Sequence, residues 1–162
     1  LPLVKARIDE NDFINFYNTI WQDRESLPPN YIKKNWDLSS KRNSGLKTFI
    51  DFKDLFGDKK GGIAFAQLPS SNSSVMDEEG MESSNSYPLR VLDNITSIGL
   101  TVKSSPDDTF IWTTFLRDAK PAKNIEVEIR DNNNKVLWQG KSDKNGFVDA
   151  PDITSHISIF IL

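Results

Sequence analysis

Residues 125–130 read Ile125-Glu126-Val127-Glu128-Ile129-Arg130, with apolar and charged side chains alternating at every position. Successive side chains of a β-strand point to opposite faces, so this pattern predicts a strand with one face on the core and the other in solvent. Residues 131–134 read Asp131-Asn132-Asn133-Asn134, and Asn and Asp tolerate the positive φ of a tight turn. We therefore expect residues 136–139 to return as the second strand of a hairpin.

The same pattern of short strands separated by turns extends on both sides of this hairpin. From Leu89 onward, strands are predicted at residues 95–102, 110–116, 125–130, 136–139, 147–150 and 155–162. Turns are predicted at residues 106–108 and 143–146, where Pro, Asp, Asn and Gly cluster. Because no helical period interrupts these strands, they predict an antiparallel β-sandwich.

The N-terminal half combines one helix with further strands. Apolar side chains recur at helical spacing at Phe13, Phe16, Tyr17, Ile20 and Trp21. Strands are predicted at residues 3–8, 47–52 and 63–68, and the Ser-rich segment 70–86 is predicted to be a flexible loop. The whole chain is thus predicted to be mainly β. Two consecutive antiparallel β-sandwich domains of immunoglobulin or fibronectin type are expected, over residues 1–88 and 89–162, with one helix in the first.

Composition excludes several classes of function. The chain has 162 residues, a net charge of -3, one His and no Cys. Without Cys there is no disulfide, thiol catalysis, Cys-based zinc site or iron–sulfur cluster. The net charge gives no basis for binding nucleic acid. No apolar stretch approaches the roughly 20 residues that span a bilayer, so no direct membrane insertion is expected.

Two acidic segments are weighed as cation sites. Asp143-Lys144-Asn145-Gly146 has the start of a calcium loop, but Asp149 and Asp152 do not supply the later ligands in register. A hairpin turn is the favoured interpretation of residues 143–146. The Asp77-Glu78-Glu79 cluster is interpreted as a solvated run of charge.

The remaining chemical signals are equally weak. His156 stands without a Cys or a positioned Ser, and Gly57, Gly61 and Gly62 lack the Lys-Ser/Thr of a phosphate loop. Residues 72–74 and 94–96 match the glycosylation acceptor pattern, which is short enough to arise by chance. We therefore predict no catalytic, cofactor-binding or metal site, and no enzymatic activity.

The C-terminal residues 157–162 form an apolar, strand-like run without a polar tail. An exposed apolar edge strand invites aggregation, so we expect this chain to be a piece cut from a longer polypeptide. We also expect the second domain to lack its last strand. A piece extended by roughly 10–15 residues, enough for a turn and one strand, should then be more stable.

Four segments of the second half together resemble a known kind of domain. Ile98-Gly99-Leu100 within residues 91–103, the strand at 110–116, the turn at 118–127 and residues 135–147 resemble the macroglobulin-like domain of bacterial alpha-2-macroglobulins. Residues 4–8, 47–56 and 62–65 are similar, more loosely, to the preceding macroglobulin domain of that family. The resemblance covers nearly the whole chain apart from the segment at 70–86.

The resemblance implies a function for the parent protein rather than for a site in this chain. Members of the family are large envelope proteins of the bacterial periplasm, often lipid-anchored, that trap proteases. A protease cuts a bait segment, the molecule rearranges, and in many members a Cys-Gly-Glu-Gln thioester captures the attacker. This chain has neither Cys nor Gly-Glu-Gln, so it would be a structural scaffold of an endopeptidase inhibitor. Its partners would be the neighbouring macroglobulin domains and, through the whole protein, the target proteases.

Two other functions are compatible with the same sandwich. One is an adhesion or carbohydrate-surface binding module of a large secreted or surface protein. The other is a carboxypeptidase-associated regulatory domain. A thioester motif and a length above a thousand residues in the parent gene would separate the macroglobulin interpretation from both.

Overall fold

A computed structural model describes residues 2–23, 25–36, 48–59, 61–69, 75–76, 82–83, 87–151 and 157–161. The chain is mainly β, and all of its named strand pairs are antiparallel, which confirms the predicted mainly β fold with antiparallel sheets. It divides into two compact units. The first comprises Leu1–Glu10 and Phe16–Ile95, and the second comprises Asn11–Asn15 and Thr96–Leu162.

The first unit is built on a four-stranded sheet with the order β2-β1-β3-β6. Its elements are β1 (Pro2–Ile8), most of α1 (Phe13–Ile20, of which residues 16–20 belong to this unit), β2 (Ile32–Asn35), α2 (Lys53–Phe56), β3 (Gly62–Leu68), the short pair β4 (Val75–Met76) and β5 (Glu82–Ser83), and β6 (Leu89–Ile95). Helix α1 lies where the spacing of Phe13 to Trp21 predicts a helix. Its buried side chains include Phe16 and Ile20, whereas Tyr17 and Trp21 are exposed.

Strand β3 is buried on both faces of this sheet. Ala64, Phe65 and Ala66 are all at most 1% exposed, although alternation predicts only one buried face for the strand. On one face, the ring of Phe16 from α1 meets Phe65 edge-on at 5.3 Å. On the other face, Phe56 of α2 lies 3.0 Å from where a Cβ of Gly62 would be. The two helices therefore cover opposite faces of the central strands.

The second unit is a sandwich of two three-stranded sheets, with the orders β10-β9-β12 and β11-β8-β7. Its strands are β7 (Ile98–Ser104), β8 (Asp108–Phe115), β9 (Glu126–Asp131), β10 (Val136–Lys141), β11 (Phe147–Pro151) and β12 (Ile157–Ile161). Both sheets contribute to one core, which consists of Ile111, Val127, Ile129, Val148 and Ala150. Burial of each Val or Ile side chain stabilises the fold by roughly 1.5–3 kcal/mol.

The structure departs from the sequence interpretation in three places. Strand β6 pairs with β3 along its whole length, whereas the sequence predicts a first strand of the second half only at residues 95–102. The strand predicted at 47–52 is wrong for its described residues 48–52, where Phe49 is 90% exposed, and α2 follows directly. Strand β2 has no counterpart among the predicted elements. Most of the loop predicted at 70–86 lies outside the described residues.

Candidate functional site

The turn at residues 143–146 uses its own carboxylate. Oδ1 of Asp143 accepts hydrogen bonds of 2.8 Å from the backbone N–H groups of Asn145 and Phe147. Gly146 has a φ of 79°, the left-handed conformation that favours glycine. These contacts form a tight turn. It is not the predicted hairpin, because β10 pairs with β9 and β11 pairs with β8, in different sheets. Among the residues that the structure describes, no group of three or more His, Cys, Asp or Glu side chains is placed to hold a metal ion.

The other residues that the sequence suggests as possible functional sites do not lie together. Asp77–Glu79, His156 and the acceptor pattern at 72–74 lie outside the described residues. In the second acceptor pattern, Asn94 is exposed on β6, and the Thr96 hydroxyl accepts a hydrogen bond of 3.0 Å from the N–H of Ile98. Gly57 has a φ of 54°, which fits a turn glycine, whereas Gly62, with a φ of 141°, is the first residue of β3. The structure brings none of these described residues into a common site.

A buried polar cluster around Thr113 joins the segments that carry the family resemblance. The Thr113 hydroxyl lies 2.7 Å from the carbonyl oxygen of Ala122 and 3.1 Å from that of Gly146. The Ser142 hydroxyl donates to the same Ala122 carbonyl at 2.7 Å and accepts from the N–H of Ile125 at 2.9 Å. Thr113 is 0% exposed and Ser142 is 2% exposed. We call Thr113, Ala122, Ser142 and Gly146 the Thr113 cluster.

Backbone contacts explain why this cluster needs a glycine. The Thr113 N–H donates to the Gly146 carbonyl at 2.8 Å, and the Ala122 N–H donates to the Thr113 carbonyl at 3.0 Å. A Cβ on Gly146 would lie only 2.3 Å from the Thr113 carbonyl oxygen. The motif segments at 118–127 and 135–147 therefore meet at one residue of β8, and they fix two turns against the sheet. The sequence signal for Thr113 is a polar side chain at an inward position of the alternating strand β8.

Two of the three charged side chains on the predicted solvent face of β9 are buried, and the third, Glu126, is 45% exposed. Glu128 is 7% exposed and Arg130 is 6% exposed. The Arg130 guanidinium donates to Oε2 of Glu128 through Nε at 2.8 Å and through Nη2 at 2.5 Å. A buried ion pair of this kind needs further hydrogen bonds to offset its desolvation.

Further partners of Arg130 come from Asn11 and Asn134. Nη1 of Arg130 lies 3.2 Å from Oδ1 of Asn11 and 3.2 Å from Oδ1 of Asn134. The amide of Asn134 donates to the main-chain carbonyl of Asn11. Sequence reasoning does not find this cluster, because residues 11 and 130 are 119 positions apart. Alternating charge by itself is typical of a solvated face.

In the first unit, a buried lysine anchors α2 to the sheet. Nζ of Lys5 donates to the Asp51 carbonyl and to Oδ1 of Asp54, each at 2.6 Å. Nζ of Lys34 donates to Oδ2 of Asp54 at 2.7 Å. Hydrogen bonds from Lys34 and then Lys5 lower the pKa of the Asp54 carboxyl below its usual value.

Arg90 of β6 binds the end of α1. Its Nε donates to Oε1 of Gln67 at 2.7 Å, and its Nη groups donate to the main-chain carbonyls of Ile20, Asp23 and Ser26. The last carbonyls of a helix lack partners within the helix, and a cationic side chain satisfies them. Burial lowers the pKa of Arg90, and the nearby Asp23 opposes that effect.

An aromatic group lies on the outer face of the β11-β8-β7 sheet. The ring of Phe147 lies 4.9 Å from that of Phe110 and 6.1 Å from that of Trp112, with the ring planes tilted by 43° and 39°. Phe110 and Phe147 are 36% and 38% exposed. Nε1 of Trp112 donates to the Asn145 carbonyl at 3.2 Å, which fixes its ring. Such a group can contact another apolar surface.

None of the helices within the described ranges combines the length and apolar character needed to cross a bilayer. The polar clusters described above consist of ion pairs and hydrogen bonds that tie strands, turns and helices together.

Comparison with known proteins identifies relatives of both units. The family model for the MG3 domain of bacterial alpha-2-macroglobulin matches residues 95–156. Alpha-2-macroglobulin of Xylella fastidiosa strain Temecula1 is 24% identical over 169 aligned positions, which cover 90% of this chain and 10% of that protein. The alpha-2-macroglobulin of strain 9a5c is 23% identical with the same coverage. The chain thus spans about a tenth of the length of these curated relatives.

Two crystal structures of native alpha-2-macroglobulin from Escherichia coli share the fold. The structure that spans domains NIE-MG1 aligns with a TM-score of 0.64 and 19% identity, over 99% of this chain and 82% of that chain. The structure that spans MG0-NIE-MG1 aligns with a TM-score of 0.62 and 18% identity, over 99% and 54%. Both alignments run through almost all of this chain, so the similarity extends to both units.

Proposed function

We propose that this chain, which is a fragment of the bacterial alpha-2-macroglobulin family, serves as a non-catalytic scaffold in a larger protein that traps endopeptidases. The observation that carries the proposal is the Thr113 cluster. The motif segments that resemble the family converge there, and they make structural contacts rather than a reactive site. The family model covers the same region.

We further propose a correspondence between the two units and the domains of the relatives. The solved structure that spans NIE-MG1 aligns with 99% of this chain, which supports assigning the first unit to the NIE position and the second to the MG1 position. The family model numbers the second unit as MG3 instead, so the numbering of the domains differs between the two descriptions. In this proposal, the neighbours of the chain are further domains of the same parent protein, which acts outside the cytoplasm in the periplasm or cell envelope.

Complex formation tests the proposed function. The full-length parent protein, incubated with an endopeptidase, should yield a higher-mass species that contains both proteins on a native gradient gel. The 162-residue chain alone should yield none, because the proposal gives it no protease-capturing group. A parent protein that forms no complex with any of a panel of serine, cysteine and metallo-endopeptidases would contradict the proposal.

The aromatic group on the second unit bears on the alternative function, a carbohydrate-surface module. Aromatic rings that bind flat polysaccharide surfaces must share a plane, but the rings here are tilted by 43° and 39°. The geometry therefore favours the scaffold. Pull-down of the chain on insoluble polysaccharides tests this choice: retention that is lost in Trp112→Ala would favour the carbohydrate module.

A further inference from the structure

Residues 11–15, which lead into α1 and include its first three residues, belong to the second unit. The 80 residues of the first unit from Phe16 to Ile95 separate them from the rest of the second unit along the sequence. Within this segment, Ile14 is only 3% exposed. The contacts of Asn11 with Arg130 and Asn134 connect the segment to the hairpin of β9 and β10. The hairpin thus presents a surface that holds a sequence-remote piece of the same chain.

The chemistry of this surface fits one kind of partner. Arg130 offers an N–H donor to the side-chain oxygen of Asn11, and Asn134 offers its amide N–H to the main-chain oxygen of the same residue. Two donors directed at two oxygens of one residue require a segment with a side-chain acceptor beside an accessible carbonyl. Asn11 supplies both groups.

The two donors, Arg130 and Asn134, are held in position by other residues of the hairpin. Arg130 is held in place by Glu128, so its orientation towards Asn11 does not depend on the segment alone. The φ of Asn134 is 66°, a left-handed conformation that the hairpin turn imposes and that Asn tolerates. One donor is thus fixed on β9 by an ion pair and the other on a preorganised turn, which lowers the entropy cost of holding the segment.

From this geometry we propose that residues 11–15 form a strap that is latched onto the β9–β10 hairpin by Arg130 and Asn134 and that stabilises the second unit. The strap and the hairpin open and close together. Loss of the Asn11 contacts releases the segment and loosens the hairpin, while the opposite sheet of the sandwich is affected less.

Amide hydrogen exchange of the full 162-residue chain, followed residue by residue by NMR, tests the latch. Arg130 is unsuitable for substitution, because its loss would leave Glu128 buried without a partner. Asn11→Ala and Asn134→Gly are suitable, and the glycine keeps the positive φ of the turn. Each should raise the exchange rates of residues 12–15 and of β9 about fivefold, the factor expected when one net hydrogen bond is lost. Asn133→Ala, an exposed position in the same turn, is the matched control and should leave these rates unchanged.

The double variant Asn11→Ala/Asn134→Gly decides whether the two side chains act as one latch. If they do, its exchange rates should be no more than about twice those of the faster single variant, because either substitution already opens the latch. Multiplication of the two single effects would overturn the proposal. Equal amide exchange rates in β9 of the Asn11→Ala and Asn133→Ala variants would also overturn it.

Discussion

At the scale of single residues, Gly146 and Thr113 are positions of the second unit where packing permits few other side chains. Thr113 is fully buried, and its hydroxyl lies within hydrogen-bond distance of two carbonyl oxygens, those of Ala122 and Gly146. Gly146 allows the turn to approach the Thr113 backbone. The sequence identifies Gly146 as a turn residue, because Asp, Asn and Gly cluster there. It does not reveal the close approach, which depends on how the turn packs against β8.

Gly146→Ala should destabilise the second unit by about 3 kcal/mol or more. The added Cβ would meet the Thr113 carbonyl oxygen, and the positive φ would add backbone strain of about 1–3 kcal/mol. Urea unfolding measures the loss. Gly57→Ala is the control, because it shares a positive φ but its Cβ would meet no atom within 4 Å. Equal losses in the two variants would contradict the packing argument.

Thr113→Val should cost about 0.5–1.5 kcal/mol, because the shape is kept and the one hydrogen bond that the hydroxyl donates is lost. The Ala122 and Gly146 carbonyls keep the Ser142 hydroxyl and the Thr113 N–H as partners. The midpoint of thermal unfolding reports this loss. Thr101→Val, at an exposed position on β7, should change stability by less than about 0.5 kcal/mol. If the two variants unfold at the same midpoint, the Thr113 hydroxyl has no stabilising role.

At the scale of elements, the sequence predicts a strand well where apolar and polar residues alternate regularly. It predicts burial poorly where residues remote in the sequence cover the strand. Alternation locates β9, and Asp and Asn locate its turn. The same alternation suggests a solvated face for β9, because no local signal shows that Glu128 and Arg130 will be buried. The strand predicted at 47–52 is wrong for its described residues 48–52, because apolar residues favour a strand only where a partner strand is present. Helix α2 has four residues, which is too short for a helical repeat of apolar side chains to be seen in the sequence.

The attachment of α2 to β1 should depend on pH. The pKa of Asp54 is lowered in the folded chain, so its ion pairs contribute stability above the unfolded pKa, near 3.8. That contribution is lost as the pH falls through the still lower folded pKa. Denaturant unfolding between pH 7 and pH 2 should show Asp54→Asn less stable than the wild type at pH 7, with the difference vanishing at the acid end. Asp58→Asn, at an exposed position, is the control, and a difference for Asp54→Asn that persists at pH 2 would contradict the ion-pair account.

The attachment of α1 to the sheet should depend on Arg90. Arg90→Met keeps much of the apolar stem but removes the donors to the carbonyls of Ile20, Asp23 and Ser26, which should cost about 2–4 kcal/mol. Urea unfolding followed by circular dichroism measures this loss. Arg117→Met serves as the control, because the Arg117 side chain is 90% exposed. A loss no greater than that of the control would show that Arg90 does not hold the helix end.

At the scale of the whole molecule, the chain matches a small part of much longer proteins. It spans 10% of the length of its curated relatives. The family resemblance is visible in the sequence because the turns at 118–127 and 143–146 require particular residues to reach Thr113. The role of residues 11–15 is not visible, because it depends on contacts between segments more than a hundred positions apart.

The most direct test of the scaffold account is a titration of endopeptidase activity against a protein substrate. The account predicts that activity falls in proportion to added full-length parent protein and stays unchanged when the 162-residue chain is added in large molar excess. Inhibition by the chain alone, or full activity at every ratio of parent protein to endopeptidase, would contradict it.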